Sequence, residues 1–169
     1  MTGSKTIRPM TDADLELVLS WRNHPDVRSY MYTQHEISLA EHKAWFERTK
    51  DDPERHLLIF QKDSIPLGFI NIHQISSGGI ADWGFYIKPG APKGSGQELG
   101  GVVLDYAFNN LRLHKLCGQA LAFNKRSIEF HKKLGFAHEG TLADLHFDGQ
   151  QYHAICCFGL TASQWQVNN

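Results

Sequence analysis

A short run of small residues, Lys93-Gly94-Ser95-Gly96, stands between an apolar strand, Trp83 to Ile87, and an amphipathic helix. A turn, Lys88 to Pro92, links strand and loop. The first N–H groups of a helix have no internal partner, and the macrodipole puts partial positive charge there. Glycine lets the backbone approach an anion with no Cβ in the way. The chemistry on offer is recognition of a pyrophosphate. A second set follows: Asn124, Ser127 and His131 recur at i, i+3 and i+7 and share one helix face. The plainer reading is that Asn124 only caps and Ser127 is solvated.

Two familiar phosphate-binding loops can be tested against the first segment. A P-loop needs Gly-x-x-x-x-Gly-Lys-Ser/Thr, which is absent. A dinucleotide fingerprint needs Gly-x-Gly-x-x-Gly at the first strand-to-helix turn. Here Gly94, Gly96 and Gly100 are spaced differently, and the loop lies mid-chain. A tight strand–helix turn that binds nothing is the remaining alternative.

The elements that must position these residues can be read from periodicity. A strand spans Thr6 to Pro9, and Asp12 or Asp14 caps a helix carrying Leu15, Leu17, Val18 and Trp21. A polar break, Trp21-Arg22-Asn23-His24-Pro25-Asp26, precedes Val27 to Tyr32. Ser38 and Glu41 form a capping box that opens a helix through Trp45 and Phe46. His56 to Gln61 and Pro66 to Gln74 read as a hairpin, followed by a strand from Ala81 to Ile87. Leu99, Val102, Val103, Tyr106 and Ala107 mark the next helix. Lys115 to Leu121 is a strand, and Asn124 caps a helix ending at Gly135. Strands at Phe136 to Leu142 and Tyr152 to Leu160 flank an Asp148-Gly149 turn. The order β-α-α-β-β-β-α-β-α-β-β predicts one mixed α/β domain over residues 1–169.

The chain has 169 residues, with 17 basic and 18 acidic side chains. That balance argues against a general nucleic-acid or anionic-membrane role. No apolar run reaches the roughly 20 residues of a membrane span, and no secretory signal is visible at Met1 to Lys5. Cys117, Cys156 and Cys157 make no disulfide framework, so a reduced, cytoplasmic setting is expected. The ten histidines include no metal-binding spacing, so no metal is expected.

The loop and the block Asn124-Lys125-Arg126-Ser127-Ile128-Glu129-Phe130-His131-Lys132-Lys133-Leu134-Gly135-Phe136 together resemble the GCN5-related N-acetyltransferase (GNAT) superfamily. Tyr86-Ile87-Lys88-Pro89 is similar to the strand end that precedes that family's pyrophosphate loop. The resemblance implies a GNAT fold, a central mixed sheet flanked by about four helices, with acetyl-CoA as co-substrate. Its cofactor residues would be Tyr86, Ile87, Lys88, Lys93, Gly94, Ser95, Gly96, Gln97, Asn124, Ser127 and Phe130. Polar groups on the Asn124 face suit a pantetheine arm. Ala91 departs from the family's Arg or Gln at the loop's start, which leaves Lys93, or Lys88, as the basic contact.

Trp21 to Val27, Met31-Tyr32, Glu41-His42 and the Trp83 to Pro89 strand resemble the subfamily that N-acetylates a nucleotide sugar in pseudaminic acid biosynthesis. This implies a UDP-sugar acceptor, UDP-4-amino-4,6-dideoxy-N-acetyl-β-L-altrosamine, acetylated at its 4-amino group. Arg22 and His42 would contact the nucleotide, with His24 on the same substrate side. Met31, Tyr32, Phe46 and Trp83 would line the sugar and uracil pocket. Arginine suits bidentate phosphate contact, and aromatic faces suit a uracil or a deoxysugar. On residue chemistry alone, Trp45 belongs to the core, and Phe46 divides evenly between core and pocket.

The resemblance also implies direct attack of a neutral amine on the thioester. The oxyanion needs a positioned donor, and the backbone N–H of Ile87 is the candidate. The strand must then splay from Lys115 to Leu121. The family protonates the leaving thiolate from a Tyr seven residues after the Asn, and His131 holds that position here. Tyrosine, with a pKa of about 10, is protonated at neutral pH, whereas a His near 6.5 is mostly neutral at pH 7. His131 is therefore either an acid used as imidazolium, or a hydrogen-bond partner of the sulfur with water giving the proton. Gln119 replaces an acidic residue of the subfamily; it can order a water but cannot take a proton.

Two other readings stand beside this one. A ribosomal-protein-type N-terminal or small-amine acetyltransferase shares Tyr106-Ala107-Phe108 and the Asn124 block. A non-catalytic acyl-CoA sensor is kept open by Ala91 and His131. An exposed strand at the chain's end could support a homodimer.

Overall fold

The computed structural model describes residues 3–167. Strand β1 (Lys5–Pro9) leads through a 3-10 turn (Asp12–Asp14) into α1 (Leu15–Asn23), α2 (Pro25–Arg28) and α3 (Leu39–Thr49). Strands β2 (Arg55–Lys62), β3 (Ile65–Ser76) and β4 (Ile80–Ile87) follow, then α4 (Ser95–Asp105), which continues as a π turn at Tyr106–Asn110. The remainder is β5 (Lys115–Leu121), α5 (Lys125–Lys133), β6 (Ala137–Phe147), β7 (Tyr152–Thr161) and α6 (Ala162–Val167). The strands pair in the order β1-β2-β3-β4-β5-β7-β6. The β4–β5 pair is parallel, whereas β1–β2, β2–β3, β5–β7 and β6–β7 are antiparallel. This is the mixed α/β sheet expected. None of the described helices is long and apolar enough to cross a membrane.

The chain divides into two compact units. The first comprises residues up to His73 with Gly84–Val103. Its core is Met10, Leu15, Val18, Trp21, Phe46, Leu57, Ile59 and Phe69, with Trp45 and Tyr86 packed against it. Alternation on β2 and β3 and the helical spacing of α1 and α3 deliver these side chains to one place. The β2–β3 turn carries Asp63 and Ser64 at φ +52° and +67°. Ser38 caps α3 by accepting the Glu41 amide at 3.1 Å, as its spacing predicts. The cap expected of Asp12 or Asp14 is different. Asp14 accepts from the Thr11 amide at 2.8 Å and pairs with both terminal nitrogens of Arg8, each at 2.8 Å. The Arg8 guanidinium holds the Asp14 carboxyl below its ordinary range.

The second unit comprises Gln74–Trp83 with residues from Leu104 onward. Leu116, Ala120, Leu121, Ile155, Phe158 and Leu160 bring the apolar faces of β5 and β7 together. Three expectations change here. Strand β6 does not stop at Leu142; it runs to Phe147 through register shifts at His138/Gly140 and Leu142/His146, with Asp144 at φ +51°. Bulges break the two-residue period on which the shorter reading rested. Strand β7 is not exposed at an edge, because it pairs with β5 on one side and β6 on the other. Helix α6 is unanticipated. Thr161 and Gln164 cap it reciprocally, at 2.9 and 3.2 Å, over too few residues to show a period.

Candidate active site

Helix α4 begins at the glycine loop. Lys88 donates its amide to the Leu67 carbonyl at 2.8 Å, and Ala91 donates to Lys88 at 3.0 Å, closing the turn. Gly94 sits at φ +90°, a conformation L side chains rarely adopt, and a Cβ there would meet nothing within 4 Å. The loop therefore presents open backbone. Ser95 is buried, with its hydroxyl on the Pro92 carbonyl at 2.6 Å. The amides of Gly96 and Gln97 fall in the first helical turn, where no intrahelical carbonyl serves them. Lys93 is exposed and Lys88 half-buried. Glu98 in the same turn pairs with Lys62 at 3.0 Å and Lys5 at 3.4 Å, which offsets its charge. These features fit a pyrophosphate.

Ile87 lies near the end of a strand that leaves its neighbour early. The β4–β5 ladder covers Ile80↔Lys115, Ala81↔Leu116 and Asp82↔Cys117, while β4 runs on to Ile87. Backbone N–H groups alternate between the two edges of a strand. Since Lys88 donates toward β3, the Ile87 N–H points to the opposite edge, beyond the end of that ladder.

Helix α5 is capped by Asn124, whose Oδ1 accepts from the Ser127 amide at 3.2 Å. His131 is 2% exposed and has both ring nitrogens engaged. The indole Nε1–H of Trp83 can only donate, so at 3.2 Å it gives its proton to His131 Nε2. The imidazole proton is then on Nδ1, which donates to the Ser127 carbonyl at 2.8 Å. The ring stacks on Phe158 at 4.9 Å and meets Phe136 edge-on at 5.0 Å. Burial pushes its pKa down, with the Ser127 hydrogen bond opposing in part. The two roles expected of His131, acid or partner of the sulfur, both need a ring nitrogen to spare, and this arrangement provides none.

Gly118 of β5 makes room for the pair. A Cβ on it would lie 2.5 Å from His131 Nε2 and 2.8 Å from Trp83 Nε1. Because neighbouring strand residues face opposite ways, Gln119 is on the other face of β5 from His131. Trp83, expected to line the acceptor pocket, is instead a buried core residue, 7% exposed, because Phe130 and Phe136 stack on it at 6.2 and 5.7 Å.

The residues expected to hold the acceptor occupy α1 to α3. Arg22 is 6% exposed, and its Nη2 donates to the Thr33 carbonyl at 2.6 Å, while Nη1 is buried with no hydrogen-bond partner. Burial lowers its pKa, and the nearby Tyr86 phenol works in the opposite direction. Asn23 clamps the same segment by exchanging bonds with the Ile37 backbone at 2.7 and 2.8 Å. His42 is 5% exposed, stacks on Trp45 at 5.3 Å and bonds the Leu15 backbone; its Nε2 is buried without a partner. Burial lowers its pKa too, so Nε2 offers a lone pair. Phe46 is 3% exposed and belongs to the core, whereas Trp45 is the half-buried one. Met31 is half-buried, Tyr32 is exposed, and His24 caps α2 through the Asp26 amide at 3.1 Å. Sequence reasoning missed Asn71 of β3, whose buried Oδ1 has no hydrogen-bond partner. A lone amide in the apolar run Phe69-Ile70-Asn71-Ile72 was the available signal. Among the described residues no cluster of three or more His, Cys, Asp or Glu could hold a metal.

The acetyltransferase (GNAT) domain pattern matches residues 6–137. Acetyltransferase PseH of Campylobacter jejuni is 27% identical over 159 residues, covering 92% of this chain and 93% of that protein. Spermidine N(1)-acetyltransferase of Vibrio cholerae is 23% identical over 158 residues, covering 92% and 91%. The crystal structure of spermidine N-acetyltransferase from Vibrio cholerae, in complex with CoA and spermine, shares the fold. Its TM-score is 0.86 at 19% identity, covering 96% of this chain and 98% of that one.

Proposed function

Because the chain belongs to the GNAT acetyltransferase domain family and is an acyltransferase, we propose that it transfers the acetyl group of acetyl-CoA to the 4-amino group of a UDP-linked aminodideoxysugar. The likeness to acetyltransferase PseH supports that acceptor class. One observation carries it further: Arg22 Nη1, His42 Nε2 and Asn71 Oδ1 are buried polar atoms without partners. Leaving such atoms unpaired costs on the order of 1–3 kcal/mol each, more for a charged group. Arg22 is a cationic donor, and His42 Nε2 and Asn71 Oδ1 are acceptors of the same compact unit. A ligand with anionic phosphate oxygens and with hydroxyl or imide N–H groups, as a UDP-sugar has, offers a partner to each of these chemistries. A polyamine, the acceptor for which the spermidine enzymes are named, brings cationic donors alone and meets like charge at Arg22.

Acetyl-CoA, when bound, supplies an activated thioester and a thiol leaving group. Lys93 and the first-turn amides of Gly96 and Gln97 hold its pyrophosphate. The Ile87 N–H donates to the thioester oxygen as negative charge grows there, which is the step a preorganised donor accelerates most. Water carries the amine proton away, and water protonates the thiolate, since neither Gln119 nor the engaged His131 can do so.

The test is parallel incubation with acetyl-CoA and three acceptors: the UDP-aminosugar, spermidine and an N-terminal peptide. Mass spectrometry then looks for one added acetyl group. Acetylation of the nucleotide sugar is the expected result. Turnover of only spermidine or only the peptide overturns the assignment.

A further inference from the structure

We propose that His131 is a positioning residue that acts through Trp83, holding the indole at the first β4 position past the end of the parallel ladder. The activity readout of this inference rests on the proposed acetyl transfer. The ladder ends at Asp82↔Cys117, and Trp83 is the next residue of β4. Its indole stacks on Phe136 and on Phe130, in planes 6° and 21° from its own, so stacking fixes its tilt. Stacking does not fix rotation within that plane. The hydrogen bond to His131 Nε2 does, because only one in-plane orientation aims Nε1–H at that lone pair. His131 is held in turn by its Nδ1–H on the Ser127 carbonyl and by Phe158 at its face. Gly118 leaves the space in which the two rings meet. The chain Ser127, His131, Trp83 thus runs from the capped helix α5 to the point where β4 parts from β5.

This explains a histidine where the family carries a phenol. A phenol brings a proton that can be donated outward. Here the demand at that position is for an acceptor aimed inward at an indole N–H, and a neutral Nδ1–H imidazole meets it.

The experiment compares His131→Gln, whose side-chain carbonyl can still accept from the indole, with His131→Leu, which has no acceptor. The Trp83 indole N–H is followed in proton–nitrogen correlation spectra, assigned by its loss in Trp83→Phe. The expected result is at least tenfold faster hydrogen exchange of that resonance in His131→Leu, with exchange near the wild-type rate in His131→Gln. In activity measurements on whichever acceptor is turned over, His131→Gln keeps most of kcat and the wild-type pH profile, and His131→Leu raises the acceptor KM. The double variant Trp83→Phe/His131→Leu is no worse than the poorer single variant. Equal large losses of kcat in the Gln and Leu variants, with a lost limb of the pH profile, identify a proton donor and overturn the proposal. So does independent multiplication of the Trp83 and His131 effects. The indole resonance reports on the pair whatever the acceptor is, so failure of the aminosugar reading leaves that arm intact.

Discussion

The indole N–H of Trp83 donates to Nε2 of His131 at 3.2 Å, which leaves the imidazole proton on Nδ1 facing the Ser127 carbonyl. A single tautomer is selected by two partners of fixed polarity: an indole nitrogen that can only give and a carbonyl that can only take. Protonating the ring would place an N–H against an N–H.

Stability should therefore fall on mild acidification. Burial lowers the folded-state pKa of His131, His42 and His56 from the ordinary value of 6.5. The unfolded chain then takes up protons first as pH falls. The stabilisation is complete above about 6.5 and is lost below it, by up to about 1.4 kcal/mol per pH unit for each histidine. Urea midpoints measured between pH 8 and pH 5 should decline below 6.5, and His131→Gln should flatten the decline.

Arg22→Met should raise the KM for the UDP-aminosugar by roughly 10- to 100-fold, the range for a lost charge-assisted hydrogen bond of about 1.5–3 kcal/mol. The KM for acetyl-CoA should stay unchanged. Inhibition by free UDP should weaken in parallel, and steady-state kinetics with each substrate varied will show whether it does.

Lys93→Gln should weaken CoA binding by about 3- to 10-fold, as expected for one exposed charge at a helix N-terminus, about 0.3–1 kcal/mol from the dipole plus the lost phosphate contact. High salt on the wild type should reproduce much of the loss. Calorimetric titration at two ionic strengths separates this from a folding defect, which salt would not mimic.

Gly118→Ala should destabilise the fold by about 1–3 kcal/mol, the usual cost of overpacking, because its Cβ would press on His131 Nε2 and Trp83 Nε1. Gly84→Ala, where a Cβ meets nothing within 4 Å, should be close to neutral. Thermal melts of the two variants distinguish local crowding from a general intolerance of alanine in these strands.

The parts of this fold that are legible from sequence are those decided locally. Ser38 with Glu41, Asn124 with Ser127, and the limits of β5 all depend on neighbours a few positions away, and they stand where their spacing puts them. The glycine loop and the start of α4 are likewise readable. What resisted reading depends on distant partners. Arg22 reads as a charged helix end, yet Thr33 and the Tyr86 phenol make it an interior group. Trp45 and Phe46 are adjacent and both aromatic, and only the packing of α3 on β3 decides which is enclosed. The role of His131 turns on an indole 48 positions earlier, and no local pattern announces that encounter.

The enclosure of β7 between β5 and β6 has a consequence for how the molecule is made. A strand synthesised late supplies the hydrogen bonds that two earlier ones lack. The sheet cannot close on that side until Thr161 has left the ribosome, and until then β5 and β6 present unpaired edges. The β6–β7 pairing is a local hairpin, but the β5–β7 pairing joins distant segments and forms slowly, and an open β5 edge invites other chains. The nascent protein is most vulnerable to self-association during the interval between emergence of Leu121 and of Thr161, and a faster supply of that last strand would be its natural protection.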